Sequence, residues 1–356
     1  MKILNFINLT IIVVLLLSGI IGINDKEYLV KTFVIGLLLL PSTQLIIGII
    51  WLVFYPEKKR ILQYFYGVTI FISLLFITSL IFKNINKNEI LEGIWIGFFG
   101  SIPIVLALYF SYILNKYAKT FSFLTAEWND LALINYQIDP KILEKHVPKG
   151  TELDLWNNKC FISLIGFMFE DVQVLGVKVP YHVNFEEVNL RFYVKRFENG
   201  IWKRGAVFIK EIVPKHAITI VANTLYKEHY QTLPMRHSRT ANEISKSFRY
   251  EWKKDNKWNF ISINTAKNAI AIEKDSEAEF ITEHYFGYTK YNEKKSIEYE
   301  VSHPRWNQLQ VIAYEIDVNF ENIYGIEFAF LQDLKPASAF LAIGSKISIE
   351  GKKTIK

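Results

Sequence analysis

Cysteine is nearly absent: the 356-residue chain has one, Cys160. That excludes an internal disulfide, and the apolar run around it reads as the setting of a buried, inert thiol. The seven histidines form no His-x-His or His-Glu-x-x-His, and none of the usual metal spacings occurs, so no metal site is expected. Gly-x-Gly-x-x-Gly and the Gly-Lys-Ser/Thr phosphate loop are also missing, and no cofactor is expected. No Gly-x-Ser-x-Gly elbow marks a serine nucleophile. Internal repeats and low-complexity segments are absent. Basic runs such as Lys58-Lys59-Arg60 and Lys352-Lys353 are too short for a nucleic-acid-binding arm, so no nucleic-acid partner is expected. Charge itself is scarce in the first third: residues 1–115 hold eight of the 41 Lys and Arg and five of the 35 Asp and Glu. A single soluble globule and a disordered chain are both excluded by that split. The whole-chain values, 51% hydrophobic and mean hydropathy +0.15, average two unlike parts.

What fills the first part is apolar. Four stretches, Ile3–Ile23, Thr32–Phe54, Ile61–Phe82 and Gly93–Leu114, have no charged residue inside them. Each approaches the ~20 residues that a helix needs to cross the hydrocarbon of a bilayer. The sequence predicts a four-helix transmembrane region over 1–117. The first stretch is longer than a signal-peptide core and lacks a clean cleavage site, so it reads as a retained helix. With the N-terminus inside, Lys2, Lys58, Lys59, Arg60, Lys116 and Lys119 face the cytoplasm, against Lys26, Lys31, Lys83 and Lys87 outside. The expectation is an integral protein of a bacterial-type inner or plasma membrane, both termini cytoplasmic, with the bilayer as partner and another membrane protein as a further candidate partner. The polar segment Pro41-Ser42-Thr43-Gln44, with Ser101 and Pro103, reads as kinked helix whose side chains re-satisfy freed backbone groups. A lipid or quinone pocket around Gln44 is the alternative.

From residue 118 to 356 the pattern becomes period-2. Leu131–Tyr136, Cys160–Phe167, Leu190–Lys195, Ala206–Ile212, Ser247–Trp252, Asn259–Ile263, Phe280–Tyr288, Ser296–Val301 and Gln308–Ile316 have the length and β-branched or aromatic content of strands. Two helices are expected. One starts at Asp139-Pro140, an N-cap followed by proline at the first position. The other follows Pro214, with Ile218, Val221, Ala222, Leu225 and Tyr226 on one face. The fold class is thus a C-terminal, mainly antiparallel β-domain of roughly ten strands with a few short helices, closed as a barrel or packed as a sandwich.

The second part also carries linked motifs. Trp128-x-x-Leu131-x-x-x-x-Tyr136-x-Ile138-Asp139-Pro140 opens it, followed by Val147-Pro148-x-Gly150 and Leu153-Asp154-x-Trp156. A central block, Phe185-Glu-Glu-Val-Asn189-Leu-Arg191-Phe-Tyr193, leads to Gly205-Ala-Val-Phe208. Then come Tyr230-x-x-Leu233-Pro234-Met235, Glu283-His284-Tyr285 and His303-Pro304-x-Trp306. In this order they resemble the YqjF-like family, domain of unknown function 2071, from about Thr125 to Ile349. The resemblance implies an acetoacetate decarboxylase-like β-barrel or cone around a pocket. It also supplies a test, because that enzyme forms an imine on a lysine of depressed pKa. The matching place here is Leu233-Pro234-Met235-Arg236. Methionine makes no imine and arginine stays protonated, while Lys227 reads as a surface lysine. Imine-type decarboxylation is therefore argued against.

A binding site is the remaining expectation. Alternation places Glu187, Asn189, Arg191 and Tyr193 on one face of a strand and Val188, Leu190, Phe192 and Val194 on the other. If the polar face looks inward, Glu187 and Arg191 form a charged pair in a pocket, and the arginine fork suits a carboxylate. A structural ion pair or a solvated outer face is the alternative. Tyr230, Met235 and Glu283 join the candidates through the resemblance. The expected function is binding of a small organic carboxylate or carbonyl ligand; the alternatives are acid–base turnover of such a ligand and a module that binds a membrane partner.

Overall fold

The structure is a computed structural model that describes residues 8, 10, 12–13, 42–49, 58–82, 102, 105–114, 116 and 122–355. The chain divides into two compact units, Met1–Phe121 and Ser122–Lys356.

In the first unit, α1 runs Lys58–Phe82. Residues 42–49 and 105–114 are also helical. Most of the expected spans Ile3–Ile23, Thr32–Phe54 and Gly93–Leu114, and their charged connections, lie outside the described residues. The described stretches of helix, taken by themselves, contain none long and apolar enough to cross a membrane. Their side chains are sorted in an unusual sense. Asn8, Gln44, Tyr64 and Ser111 are buried, while Leu45, Ile46, Ile49, Ile70, Ile72, Val105 and Leu108 are exposed. The buried groups form one chain. Tyr64 donates to Gln44 Oε1 (2.5 Å), Gln44 Nε2 to Asn8 Oδ1 (2.9 Å) and Asn8 Nδ2 to Ser111 Oγ (2.7 Å). Both ends of the Gln44 amide are thus engaged by protein, which favours the structural reading of that polar segment over a pocket for a lipid or quinone.

The second unit is a 14-stranded sheet, mainly antiparallel. Its strands are β1 (Leu124–Ile138), β2 (Glu152–Leu153), β3 (Cys160–Val174), β4 (Phe185–Glu198), β5 (Ile201–Val213), β6 (Tyr230–Thr232), β7 (Met235–Ala241), β8 (Ser245–Lys254), β9 (Lys257–Ala271), β10 (Phe286–Asn292), β11 (Lys295–Ser302), β12 (Asn307–Asp317), β13 (Ser338–Ile349) and β14 (Lys353–Ile355). The path β11-β10-β5-β4-β3-β1-β13 returns on itself, because β11 also pairs with β13 through Val301↔Ile349 and Ser302↔Ser348. Only β5 has parallel neighbours, β6 and β10. Strands β12, β9, β8 and β7 extend the sheet beyond β13.

Long strands buried on both faces explain the paired cores. Along β4, Val188, Leu190, Phe192 and Val194 join one apolar cluster with Tyr136, Trp252 and Ile263. Phe185 and Tyr193 join a second with Leu133, Phe161, Phe167 and Trp306. Cys160 is buried in the first, and burial pushes its thiol up to about 11, so it stays protonated.

Helical expectations fare unevenly. Asp139 does cap: its Oδ1 accepts from the Lys141 amide at 3.0 Å. The helix it starts, however, is two short 3₁₀ turns, Pro140–Ile142 and Glu144–His146. After Pro214, α2 (His216–Val221) runs into a π-turn over Ala222–Tyr226 and ends at Lys227, exposed and left-handed at φ 61°. The strand expected over Phe280–Tyr288 is corrected. Its first residues belong to α3 (Glu277–Thr282), and the strand begins only at Phe286.

Candidate functional site

The inner face of β4 carries Glu187, Asn189 and Arg191, and the second core closes around them. A bulge between Leu190 and Arg191 in the β4–β5 pairing falls at this point. Bulges re-aim side chains in this way. All three line a chamber of about 60 Å³ with Trp128, Glu211, Tyr230, His284, Tyr299, His303 and Trp306. A second chamber of about 310 Å³ adjoins it, lined mostly by apolar side chains including Phe123, Val172, Phe185, Ile218, Val221 and Tyr226. Phe169, Glu187, Glu211, Tyr230, Tyr299 and Ile349 line both.

Arg191 is 9% exposed. The expected Glu187–Arg191 ion pair is absent: among the described residues Arg191 has no ion pair within 4.0 Å and no side-chain hydrogen bond. Its guanidinium lies over the Tyr193 ring at 5.5 Å, and its Nε is buried without a partner. Four more polar atoms around the small chamber share that condition: Trp128 Nε1, Asn189 Oδ1, Glu211 Oε2 and His284 Nδ1. Buried polar atoms without partners are uncommon and costly. Here five of them line one small space.

Carboxyl groups supply the other half of the site. Glu187 accepts from Asn189 Nδ2 (2.9 Å) and from the Tyr230 hydroxyl (3.0 Å). Burial nevertheless pushes it up to about 7, against those hydrogen bonds and the charge of Arg191. Glu228, which accepts from Thr289 at 2.5 Å, is likewise raised by burial to about 7. Glu211 is raised well above the ordinary carboxylate range by burial and by the charges of Glu228 and Glu187. Burial thus favours the protonated, donor form of Glu211 more than in an exposed glutamate.

Behind the chamber, Asp154 Oδ2 accepts from Arg204 Nε (2.6 Å) and lies 3.2 Å from His284 Nε2. Burial works against the Asp154 carboxylate, but the hydrogen bonds from His284 and Arg204 outweigh it and hold its pKa below the usual value. Burial drives His284 down to about 4, so the ring is neutral. Nε2 is engaged near Asp154 and Arg204, while Nδ1 of this chamber-lining residue is buried without a partner.

The sequence candidates thus divide. Glu187, Asn189, Arg191 and Tyr230 line the small chamber. Tyr193 lines neither chamber; its hydroxyl donates to Ser163 Oγ (2.8 Å) and its ring packs on His284 with centroids 4.5 Å apart. Met235 packs at the edge of the other core, opposite Trp252 on β8, and Arg236 beside it is exposed and paired with Glu251. Glu283 lies outside both linings and accepts from the Tyr285 hydroxyl at 2.5 Å. Neither lining contains a lysine. Sequence reasoning missed Glu211, Glu228, His284, Tyr299 and Trp128 as site residues. A glutamate inside the apolar alternation Ala206–Ile212 was the one local signal, for Glu211.

Fold and chambers together define a mainly antiparallel β-domain with a partly polar internal cavity. The chain belongs to the DUF2071 family of uncharacterized conserved proteins, which it matches over residues 125–346. It is similar to the uncharacterized protein YqjF of Bacillus subtilis (strain 168), 30% identical over 194 residues that cover 54% of this chain and 77% of that protein. Among solved structures it is similar to the enduracididine biosynthesis enzyme MppR complexed with pyruvate. That match has 11% identity and a TM-score of 0.48, covering 66% of this chain and 91% of the other. It is also similar to acetoacetate decarboxylase from Legionella pneumophila, at 12% identity and a TM-score of 0.45, covering 65% and 87%.

Proposed function

We propose that the β-domain binds a small organic acid, with its carboxylate in the small chamber and its apolar body in the large one. The observation that carries this reading is Arg191, a buried guanidinium with no ion pair within 4.0 Å among the described residues. A buried charge without a partner is strongly unfavourable, and a bound carboxylate relieves it. Trp128 Nε1–H, and Glu211 in the protonated form that burial favours, line the same chamber as the arginine, a set suited to an oxyanion. A lining without lysine leaves no amine for an imine, so binding proceeds without Schiff-base chemistry. The seven-strand ring acts as the cone that holds the two chambers in register. Native mass spectrometry of the full chain, purified in detergent, tests the reading. A co-purifying acid that is lost in Arg191→Met supports it, and retention of the same ligand in that variant contradicts it.

One observation favours turnover as a second reading. Glu187 titrates near neutrality beside the orphaned atoms, the condition for a general acid or base. With 2-oxobutanoate in deuterated water, the wild type would then exchange the protons next to the carbonyl, and Glu187→Gln would bind without exchange. No exchange by the wild type removes this reading.

The four apolar stretches anchor the domain in a bilayer with both termini cytoplasmic. The first unit supports this with many large apolar side chains exposed and a hydrogen-bonded polar chain buried beside an apolar cluster. In water that arrangement is unfavourable, whereas in lipid it matches how helices associate.

A further inference from the structure

The large chamber opens at the surface, and its rim is apolar on two sides. Val179 and Val221 line the chamber while each remains 42% exposed. Beside them, Tyr181 is 89% and Ile220 64% exposed. These residues come from the β3–β4 connection and from α2, so two separate segments present greasy side chains around one opening. Cations accompany them. Lys227 ends the turn after α2 and is exposed, and Lys352 holds its Nζ 5.7 Å from the ring of Tyr226, which lines the chamber. The chain itself enters the β-domain here. Phe123 and Leu124, two of the first residues of the second unit, line the same chamber.

We propose that this rim is a membrane-contact surface, through which the large chamber takes a single-chain, lipid-derived carboxylic acid directly from the bilayer. The inference rests on the carboxylate reading of the small chamber and names the ligand class and its source. Exposed aliphatic and tyrosine side chains enter the headgroup–acyl boundary, and lysines at the rim meet anionic lipid phosphates. A chamber of about 310 Å³ lies at the lower end of small-molecule sites, roughly 300–1,000 Å³. That suits one short or medium acyl chain better than a two-chain lipid. The bilayer is also where an acid of this kind concentrates, by burial of its methylene groups.

The buried Cys160 is the chain's lone cysteine, so introduced cysteines at exposed sites can be labelled selectively. The full chain is reconstituted in nanodiscs of phosphatidylcholine and phosphatidylglycerol, with a fluorophore at Ile220→Cys, Tyr181→Cys or Ile244→Cys. Ile244 is 80% exposed in the β7–β8 turn and lines neither chamber. Doxyl-labelled lipid should quench the first two labels at least about threefold more than the third. Equal quenching at all three positions overturns the membrane-contact surface. Decanoate titration of the same nanodiscs separates the two readings. Selective quenching without decanoate binding leaves the surface standing but removes the acid as its cargo. Binding without selective quenching keeps the carboxylate site and rejects entry from the bilayer.

Discussion

At Arg191 the guanidinium has left water without an ion pair within 4.0 Å among the described residues, and the titratable groups around it are shifted by the same burial. Glu187 and Glu228 are raised by burial to about 7, Glu211 is also raised by burial and by its carboxylate neighbours, and His284 is held neutral. The sign of the pH effect follows. A carboxyl whose folded pKa is raised binds its proton more tightly in the folded state than in the unfolded one. Its contribution is therefore fully present below the unfolded value, near 4.3, and is lost as pH rises through about 7. Glu187→Gln removes one such group. The thermal midpoint of this variant relative to wild type should rise steadily between pH 4.5 and pH 7.5 and then level off. A difference that does not change over that interval contradicts the buried, neutral Glu187. Part of this chemistry was legible beforehand. Period-2 alternation brings Glu187, Asn189 and Arg191 to one face, and no local feature suggested otherwise. Glu211, Glu228, His284, Tyr299 and Trp128 were not legible, because they reach the chambers from remote segments whose meeting depends on ring closure. The expected Glu187–Arg191 ion pair is absent although both side chains share the face: Glu187 accepts from Asn189 and Tyr230 instead.

At the level of elements, the wall common to the two chambers depends on close approach between β10 and β11. Gly287 pairs with Tyr299, and a Cβ at 287 would meet the tyrosine ring at 2.1 Å and its hydroxyl oxygen at 2.4 Å. The Tyr299 hydroxyl also supports Glu228. Gly287→Ala should thus displace the shared wall, lowering stability by about 1–3 kcal/mol, as overpacking does, and weakening any ligand that spans both chambers. Thermal unfolding beside a ligand titration checks this, and unchanged stability contradicts the packing. The strand expected at Phe280–Tyr288 shows why elements are misread. Phe280, Ile281 and Thr282 are buried as a strand would bury them, yet Ser276 Oγ accepts from the Glu279 amide at 3.1 Å and Glu279 reaches back to the Asp275 amide at 2.5 Å. A Ser-x-x-Glu signature of this type starts a helix, and it was present in the sequence. Strands β2, β6, β7, β13 and β14 also escaped. Strands β2, β6 and β14 are two or three residues long and β7 is a polar edge strand, so pairing rather than alternation makes them strands, whereas β13 is a long interior strand that was simply missed.

At the scale of the whole molecule, the split in charge between residues 1–115 and the remainder coincides with two compact units of opposite character. In the first, the hydrogen-bonded chain through Asn8, Gln44, Tyr64 and Ser111 runs inside an apolar exterior. Membranes washed with alkaline carbonate should retain the full chain in the pellet, and its release with peripheral proteins would contradict the anchor. The β-domain was readable as a class because its strands are long and its turns are marked. The strand pattern left a barrel and a sandwich open and the family resemblance favoured a closed barrel or cone; in the structure two residue pairs join β11 to β13. Everything proposed for the cavity depends on whether it receives an anion at Arg191. The most direct test is calorimetric titration of the detergent-purified full chain with hexanoate and with hexanol at pH 7, for wild type and Arg191→Met. The account predicts that wild type binds hexanoate and not hexanol, and that the folded variant loses hexanoate at least about tenfold in affinity, 1.4 kcal/mol or more. Equal affinity of wild type and variant for hexanoate, or of wild type for hexanoate and hexanol, would contradict it.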